Sequence, residues 1–161
     1  MKQPEDRIYT KIMKLVRFVL LKLIKPDIIV NKVSDLDVEA IKEEYGIKAI
    51  ILDVDKTLRE NMQNIPQVNK DWIESIKALG VKIIILSNGL DNSIEQYFAS
   101  KGIDYIGFAC KPFKINFLKA CQRLGVNPEN IIVVGNSLLN DVHGGNRNRM
   151  RTVLVREVVR E

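Results

Sequence analysis

Cysteine and histidine are nearly missing from this 161-residue chain, which holds only Cys110, Cys121 and His143 of those two types. Two cysteines cannot build the disulfide framework of a small secreted domain, so an intracellular, cytoplasmic protein with reduced thiols is expected. No stretch approaches the ~18 uninterrupted apolar residues of a spanning helix. Internal repeats and low-complexity linkers are absent too. A secretory leader is disfavoured, because Arg17 and Lys22 interrupt the N-terminal apolar stretch and no small-residue cleavage site follows. Most of the chain also lacks any charge imbalance. The net +5 sits in residues 1–26, where seven basic residues face two acidic ones, and the other 135 residues carry eighteen of each sign. What is present, 46% hydrophobic and 28% charged residues, is ordinary for a globular protein. The length suits one domain with its own core.

The expected organisation is therefore a basic arm, residues 1–26, on a neutral domain, residues 27–161. Residues 7–25 have helical periodicity. Arg7, Lys11, Lys14, Arg17, Lys22 and Lys25 fall within an arc of about 140°, opposite a broad aliphatic face, and Pro26 ends the pattern. A second short helix spans 36–45, with Ser34 or Asp35 as its N-cap and Gly46 after its end. Strand and helix then alternate. Strands are expected at 48–52, 82–86, 103–106, 131–134 and 152–155, and helices at 68–79, 92–101, 114–124 and from Leu138. Uninterrupted apolar runs such as Ile83-Ile84-Ile85-Leu86 suit central parallel strands covered on both faces. The fold class is α/β: a Rossmann-like, doubly wound parallel sheet of about five strands behind an N-terminal amphipathic helix.

Ligands of such sheets bind beyond the carboxyl ends of the strands. There the sequence places Asp53-Val54-Asp55-Lys56-Thr57, then Ser87-Asn88-Gly89, then Lys111-Pro112, then Gly135-Asn136-Ser137 leading to Asp141. Two carboxylates two residues apart, just past a strand, can enter one pocket if the chain turns there. One can attack phosphorus while the other carries a proton to and from the leaving oxygen. Hard oxygen ligands in the same place suit Mg²⁺.

These residues, in this order, resemble the haloacid dehalogenase superfamily of phosphohydrolases, whose pattern is D-x-D-x-T, a Ser or Thr, a Lys and a terminal acidic motif. The likeness extends to the YqeG-type subgroup, similar to mitochondrial phosphatidylglycerophosphate phosphatases. It rests there on Ala109-Cys110-Lys111-Pro112, on Asp141-Val142-His143-Gly144-Gly145-Asn146-Arg147 and on the preamble Ile24-Lys25-Pro26-Asp27. The resemblance covers roughly residues 20–156. It implies Asp53 as nucleophile, Asp55 as acid and base, and Lys111 as the countercharge. Ser87, Asn88 and Lys111 would hold the phosphate, and Asp53, Asp55 (through its carbonyl), Asn136 and Asp141 would hold Mg²⁺. Thr57 would brace the turn, and His143 receives no role.

Three positions depart from the pattern. Asn136 stands where an aspartate ligand is expected, which weakens the metal site, Asn140 stands where the subgroup often has Thr, and Lys56 replaces a frequent Asn and adds a charge beside the pocket. The gaps after Asp55 and after the second core strand, about 25 residues or fewer, cannot hold a folded cap of ~50 residues, so the pocket is expected to be uncapped. An open site and a basic amphipathic helix suit an anionic membrane surface, on the inner face of the membrane, and a lipid phosphomonoester such as phosphatidylglycerophosphate. Alternatives are a soluble phosphatase acting on proteins or small phosphoesters, or a catalytically weakened binding module. The arm carries aliphatic rather than aromatic residues between its charges, which disfavours nucleic acid.

Overall fold

Residues 10–16, 18, 19 and 24–159 are described in a computed structural model of the chain. Six strands form one wholly parallel sheet: β1 (Ile28–Val30), β2 (Ala49–Leu52), β3 (Lys82–Leu86), β4 (Asp104–Ile106), β5 (Ile131–Gly135) and β6 (Arg151–Val155). Their spatial order is β1-β6-β5-β2-β3-β4. β2 lies at the centre, and the chain winds outward from it first through β3 and β4, then on the other side through β5 and β6. The gap between β2 and β5 is therefore the switch point, where such sheets place their ligands.

Strand residues alternate between two cores. Ile50, Leu52, Ile83, Ile85, Ile132 and Val134 meet helices α1 (Val38–Tyr45), α2 (Gln67–Ala78) and α3 (Asn92–Ser100) on one face. Ala49, Ile51, Ile84, Leu86, Ile131 and Val133 meet α4 (Lys114–Leu124) on the other. Burial on both faces explains why the strands show no polar alternation in the sequence. The sheet has one strand more than expected. The added strand is β1, only three residues long on the outer edge, where Ile29 stays exposed, and a segment that short carries little periodic signal. Its entry is fixed by Asp27, whose Oδ2 accepts from Thr152 N at 2.8 Å, and by Asn146, which bonds Lys25 O and Thr152 Oγ1.

Other boundaries shift by a residue or two. The N-cap of α1 is Asp37 rather than Ser34 or Asp35, since its Oδ1 accepts from Ala40 N at 2.9 Å. The helix expected from Leu138 is a π-helical turn, Leu138–His143, running into the short α5 (Gly144–Arg147). Residues 10–16, 18 and 19 are helical and exposed; the rest of the expected helix up to residue 23 lies outside the described residues, and Ile24 is no longer helical. Among the described residues no helix is long and apolar enough to cross a membrane.

Phe117 of α4 is fully buried and packs where Gly144 leaves room. An added Cβ on Gly144 would approach the Phe117 ring to 2.5 Å. Phe117→Ala should cost about 3–5 kcal/mol, seen as a lower denaturant midpoint with an unchanged slope.

Candidate active site

Asp53 directly follows β2, and its N–H still donates to Val134 O at 3.0 Å, so the residue is held by the ladder. The chain then turns sharply. Val54 O accepts from the N–H groups of Thr57, Leu58 and Arg59. Thr57 is fully buried and donates its hydroxyl to Asp53 Oδ2 at 2.9 Å, which is the bracing role expected of it. Asp53 Oδ1 accepts from Lys111 Nζ at 2.7 Å, so both carboxylate oxygens are engaged.

Lys111 arrives from the loop after β4, preceding a cis peptide bond to Pro112. Lys111 is 7% exposed, and its ammonium also donates to Asp141 Oδ1 at 2.6 Å. Asp141 is brought in by the turn after β5, where Asp141 Oδ2 accepts from Ser137 N at 3.1 Å. Gly135 makes that approach possible, because an added Cβ would overlap the Asp141 carboxyl. Ser87, 4% exposed, ends β3, with its hydroxyl accepting from Gly89 N. Side chains from three adjacent strand ends and the Lys111 loop thus meet at the switch point.

The electrostatics are unbalanced. One ammonium sits between two buried carboxylates. Burial disfavours the Lys111 charge, but attraction to Asp141 and Asp53 outweighs it and holds the lysine above its usual value. Asp141 is pushed up to about 6, first by burial and then by repulsion from Asp53, with Lys111 opposing both. The cluster carries an excess negative charge that a further cation would relieve.

Not every expected residue converges. Asn88 is committed elsewhere: its Oδ1 accepts from Lys111 N at 2.7 Å, and its Nδ2 donates to Lys111 O, so it braces the lysine loop rather than facing a phosphate. Asn136 is half-buried, on the wall of a groove that also includes Lys56 and Ser137. The Asp55 carboxylate is turned onto Arg59, whose Nε donates to Oδ1 at 2.9 Å. Sequence reasoning missed Arg59. It is a buried arginine, 2% exposed, and its only sequence signal is a position four residues after Asp55. Among the described residues no group of three or more His, Cys, Asp or Glu converges as a metal cluster. The carboxylates of Asp53 and Asp141, joined through Lys111, are all-oxygen donors of the kind a hard cation such as Mg²⁺ takes.

A family model described as haloacid dehalogenase-like hydrolase matches residues 59–148. That span takes in Ser87, Lys111 and Asp141 and begins just past the two aspartates of the first turn. Across a longer stretch, "Probable phosphatase YqeG" of Bacillus subtilis (strain 168) is 35% identical over 137 residues, 84% of this chain and 79% of the relative. The chain belongs to the haloacid dehalogenase-like hydrolases. Solved structures agree at the level of fold. An uncharacterized protein from Listeria monocytogenes serotype 4b superposes with a TM-score of 0.57 at 21% identity, over 71% of this chain and 83% of the other. The cobalt-bound deoxy-D-mannose-octulosonate 8-phosphate phosphatase of Haemophilus influenzae gives 0.51 at 18% identity, over 57% of this chain and 60% of the other. The hydrolase core is uncapped here, because the segment between β2 and β3 is filled by a turn and α2, and that between β3 and β4 by α3.

A carboxyl with a raised folded pKa binds its proton more readily in the native state. Its contribution to stability is present below about pH 4 and lost as pH rises through about 6. In metal-free buffer the parent should therefore lose on the order of 1–3 kcal/mol relative to Asp141→Asn between about pH 4 and about pH 8. Denaturation midpoints of the two proteins across that range check it. A constant difference would mean that Asp141 carries no excess charge.

Proposed function

We propose that this hydrolase is a Mg²⁺-dependent phosphomonoester phosphatase that works through a phosphoaspartate on Asp53. The observation carrying this reading is the Asp53–Lys111–Asp141 cluster at the switch point, with Ser87 and Asp55 at its edge. Asp53 is buried, fixed by Thr57 and Lys111, and keeps a carboxylate at the strand end. Its oxygen attacks phosphorus as the ester P–O bond breaks, and Asp55 gives its proton to the departing alcohol oxygen. Asp55 then takes a proton from water as that water attacks the phosphoaspartate, releasing phosphate and restoring both carboxyl groups. Lys111 holds charge against the phosphoryl oxygens, and Ser87 with the N–H groups of its loop binds them. Asp53, Asp141, Asn136 and the Asp55 carbonyl would hold Mg²⁺, which when bound neutralises the carboxylates and the phosphoryl oxygens.

The finer reading is a lipid phosphomonoester, such as phosphatidylglycerophosphate, met at an anionic membrane surface on the cytoplasmic side. Its support is the position of the exposed apolar side chains. Leu90, Phe108, Phe113 and Leu139 are 48–66% exposed, and they lie in the loops that carry Ser87, Lys111 and Asn136. Ile12, Leu15 and Phe18 of the basic arm are equally exposed. Apolar groups around an uncapped site, with cations nearby, suit an interface between headgroups and acyl chains.

Hydrolysis of p-nitrophenyl phosphate should require Mg²⁺ and vanish in Asp53→Asn, and beryllium fluoride should bind the parent but not the variant. Failure of the parent to bind it with Mg²⁺ present would remove the phosphatase reading. Asn136→Asp should raise Mg²⁺ affinity about tenfold or more by restoring a charged ligand; an unchanged affinity would place Asn136 outside the metal shell. Co-sedimentation with vesicles of anionic lipid should weaken when residues 1–26 are removed, and equal binding by the shortened chain would withdraw the arm from the membrane argument.

A further inference from the structure

Arg59 is buried where the core has no need of a cation, and a buried guanidinium is costly unless its donors are met. Here they are met by two loops. Nε donates to Asp55 Oδ1 at 2.9 Å, Nη2 to Asp91 Oδ2 at 2.8 Å, and Nη1 to Gln63 O at 3.1 Å. Asp91 is itself a fixed point. It is the N-cap of α3, and its Oδ1 accepts from Ser93 N, Ser93 Oγ and Ile94 N. Hydrogen bonds from Ser93 and then Arg59 hold its carboxyl well below the usual range, so it remains an anion. The arginine is thus a short arm anchored on a helix start, reaching back across the site to Asp55.

Among the described residues Asp55 has no other anchor of that kind. Its side chain is 35% exposed, whereas Asp53 is held by Thr57 and Lys111. The arm takes one of its oxygens. The other, Oδ2, faces the Ser87–Gly89 loop, lying 3.9 Å from where a Cβ on Gly89 would stand, and Ser87 Oγ lies 3.7 Å from the same point. Opposite the arm, then, lies the loop assigned to the phosphate.

We propose that Arg59 is a positioning residue for proton transfer: by holding Asp55 Oδ1 it makes Oδ2 the proton-carrying oxygen and aims it at the leaving group. This rests on the phosphatase reading above. In the first step the P–O ester bond breaks with its electron pair going to the leaving oxygen, and the Oδ2 proton joins that oxygen. An alkoxide cannot leave without it; a nitrophenolate can. Loss of Arg59 should therefore be felt through the leaving group, whereas a general loosening of the fold would slow all esters alike.

The test compares n-butyl phosphate with p-nitrophenyl phosphate, using the full chain with Mg²⁺. Arg59→Met leaves the Asp91 carboxylate without its cation and could fail to fold, so Arg59→Met is combined with Asp91→Asn, and Arg59→Lys is measured beside it. In the double variant kcat/KM for butyl phosphate should fall about 100-fold, mostly in kcat, against only a few-fold for p-nitrophenyl phosphate. Arg59→Lys should recover part of the loss, since an ammonium can hold Asp55 but lacks the planar fork with which Arg59 reaches Asp55, Asp91 and Gln63 O together. Equal losses on the two esters, or none on butyl phosphate, would overturn the positioning role and leave the phosphatase standing. If the parent hydrolyses neither ester, the phosphatase reading falls and the role of Arg59 falls with it.

Discussion

The site depends on one ammonium group held between two carboxylates. Lys111 Nζ lies 2.7 Å from Asp53 and 2.6 Å from Asp141, in a place that water barely reaches. Either carboxylate alone would be costly to bury, and together they would repel. The lysine makes both tolerable and at the same time ties the end of β2 to the turn after β5. Much of the local backbone serves that contact. Asn88 clamps the lysine's own peptide, Gly135 leaves room for the Asp141 carboxyl, and Ser137 N supplies its second partner. The triad is nevertheless one positive charge short. That shortfall separates this cluster from a structural ion pair, which would be balanced, and is of the kind found where a site meets a cation or an electrophile.

Much of this was legible in the sequence because it rests on order and periodicity. Four apolar runs, each followed by polar residues, define parallel strands whose carboxyl ends must share an edge. Asp53, Ser87, Lys111 and Asp141 are found together for that reason. Periodicity says nothing about rotamers. Asn88 sits beside Ser87 and could face a phosphate equally well by sequence; only the folded loop shows its amide spanning the peptide of Lys111. Arg59 was invisible for a related reason. A basic residue four positions after an acid suggests a helical pair, yet here the chain is a turn around Val54 O, and the second partner, Asp91, is 32 residues away. Strand β1 escaped because three residues on a sheet edge make no pattern, and its anchor is a side-chain bond from Asp27 to a strand 125 residues further on.

Two of the departures from the family pattern line one groove. Asn136 removes a negative charge and Lys56 adds a positive one, and both border a groove of about 1250 Å³ that Thr10, Met13 and Lys14 also line. Lys56 also holds a left-handed backbone with φ of 60°, unusual for a residue with a Cβ, and its N–H closes the turn onto Arg59 O at 2.7 Å. The same short turn therefore fixes Asp53 through Thr57 and Asp55 through Arg59, and adds the charge of Lys56 to the groove. An amide at 136 leaves the charge deficit of the Asp53–Lys111–Asp141 cluster unchanged, while the uncharged Asn136 and the cation of Lys56 make the groove they border more favourable to anions than the family pattern would.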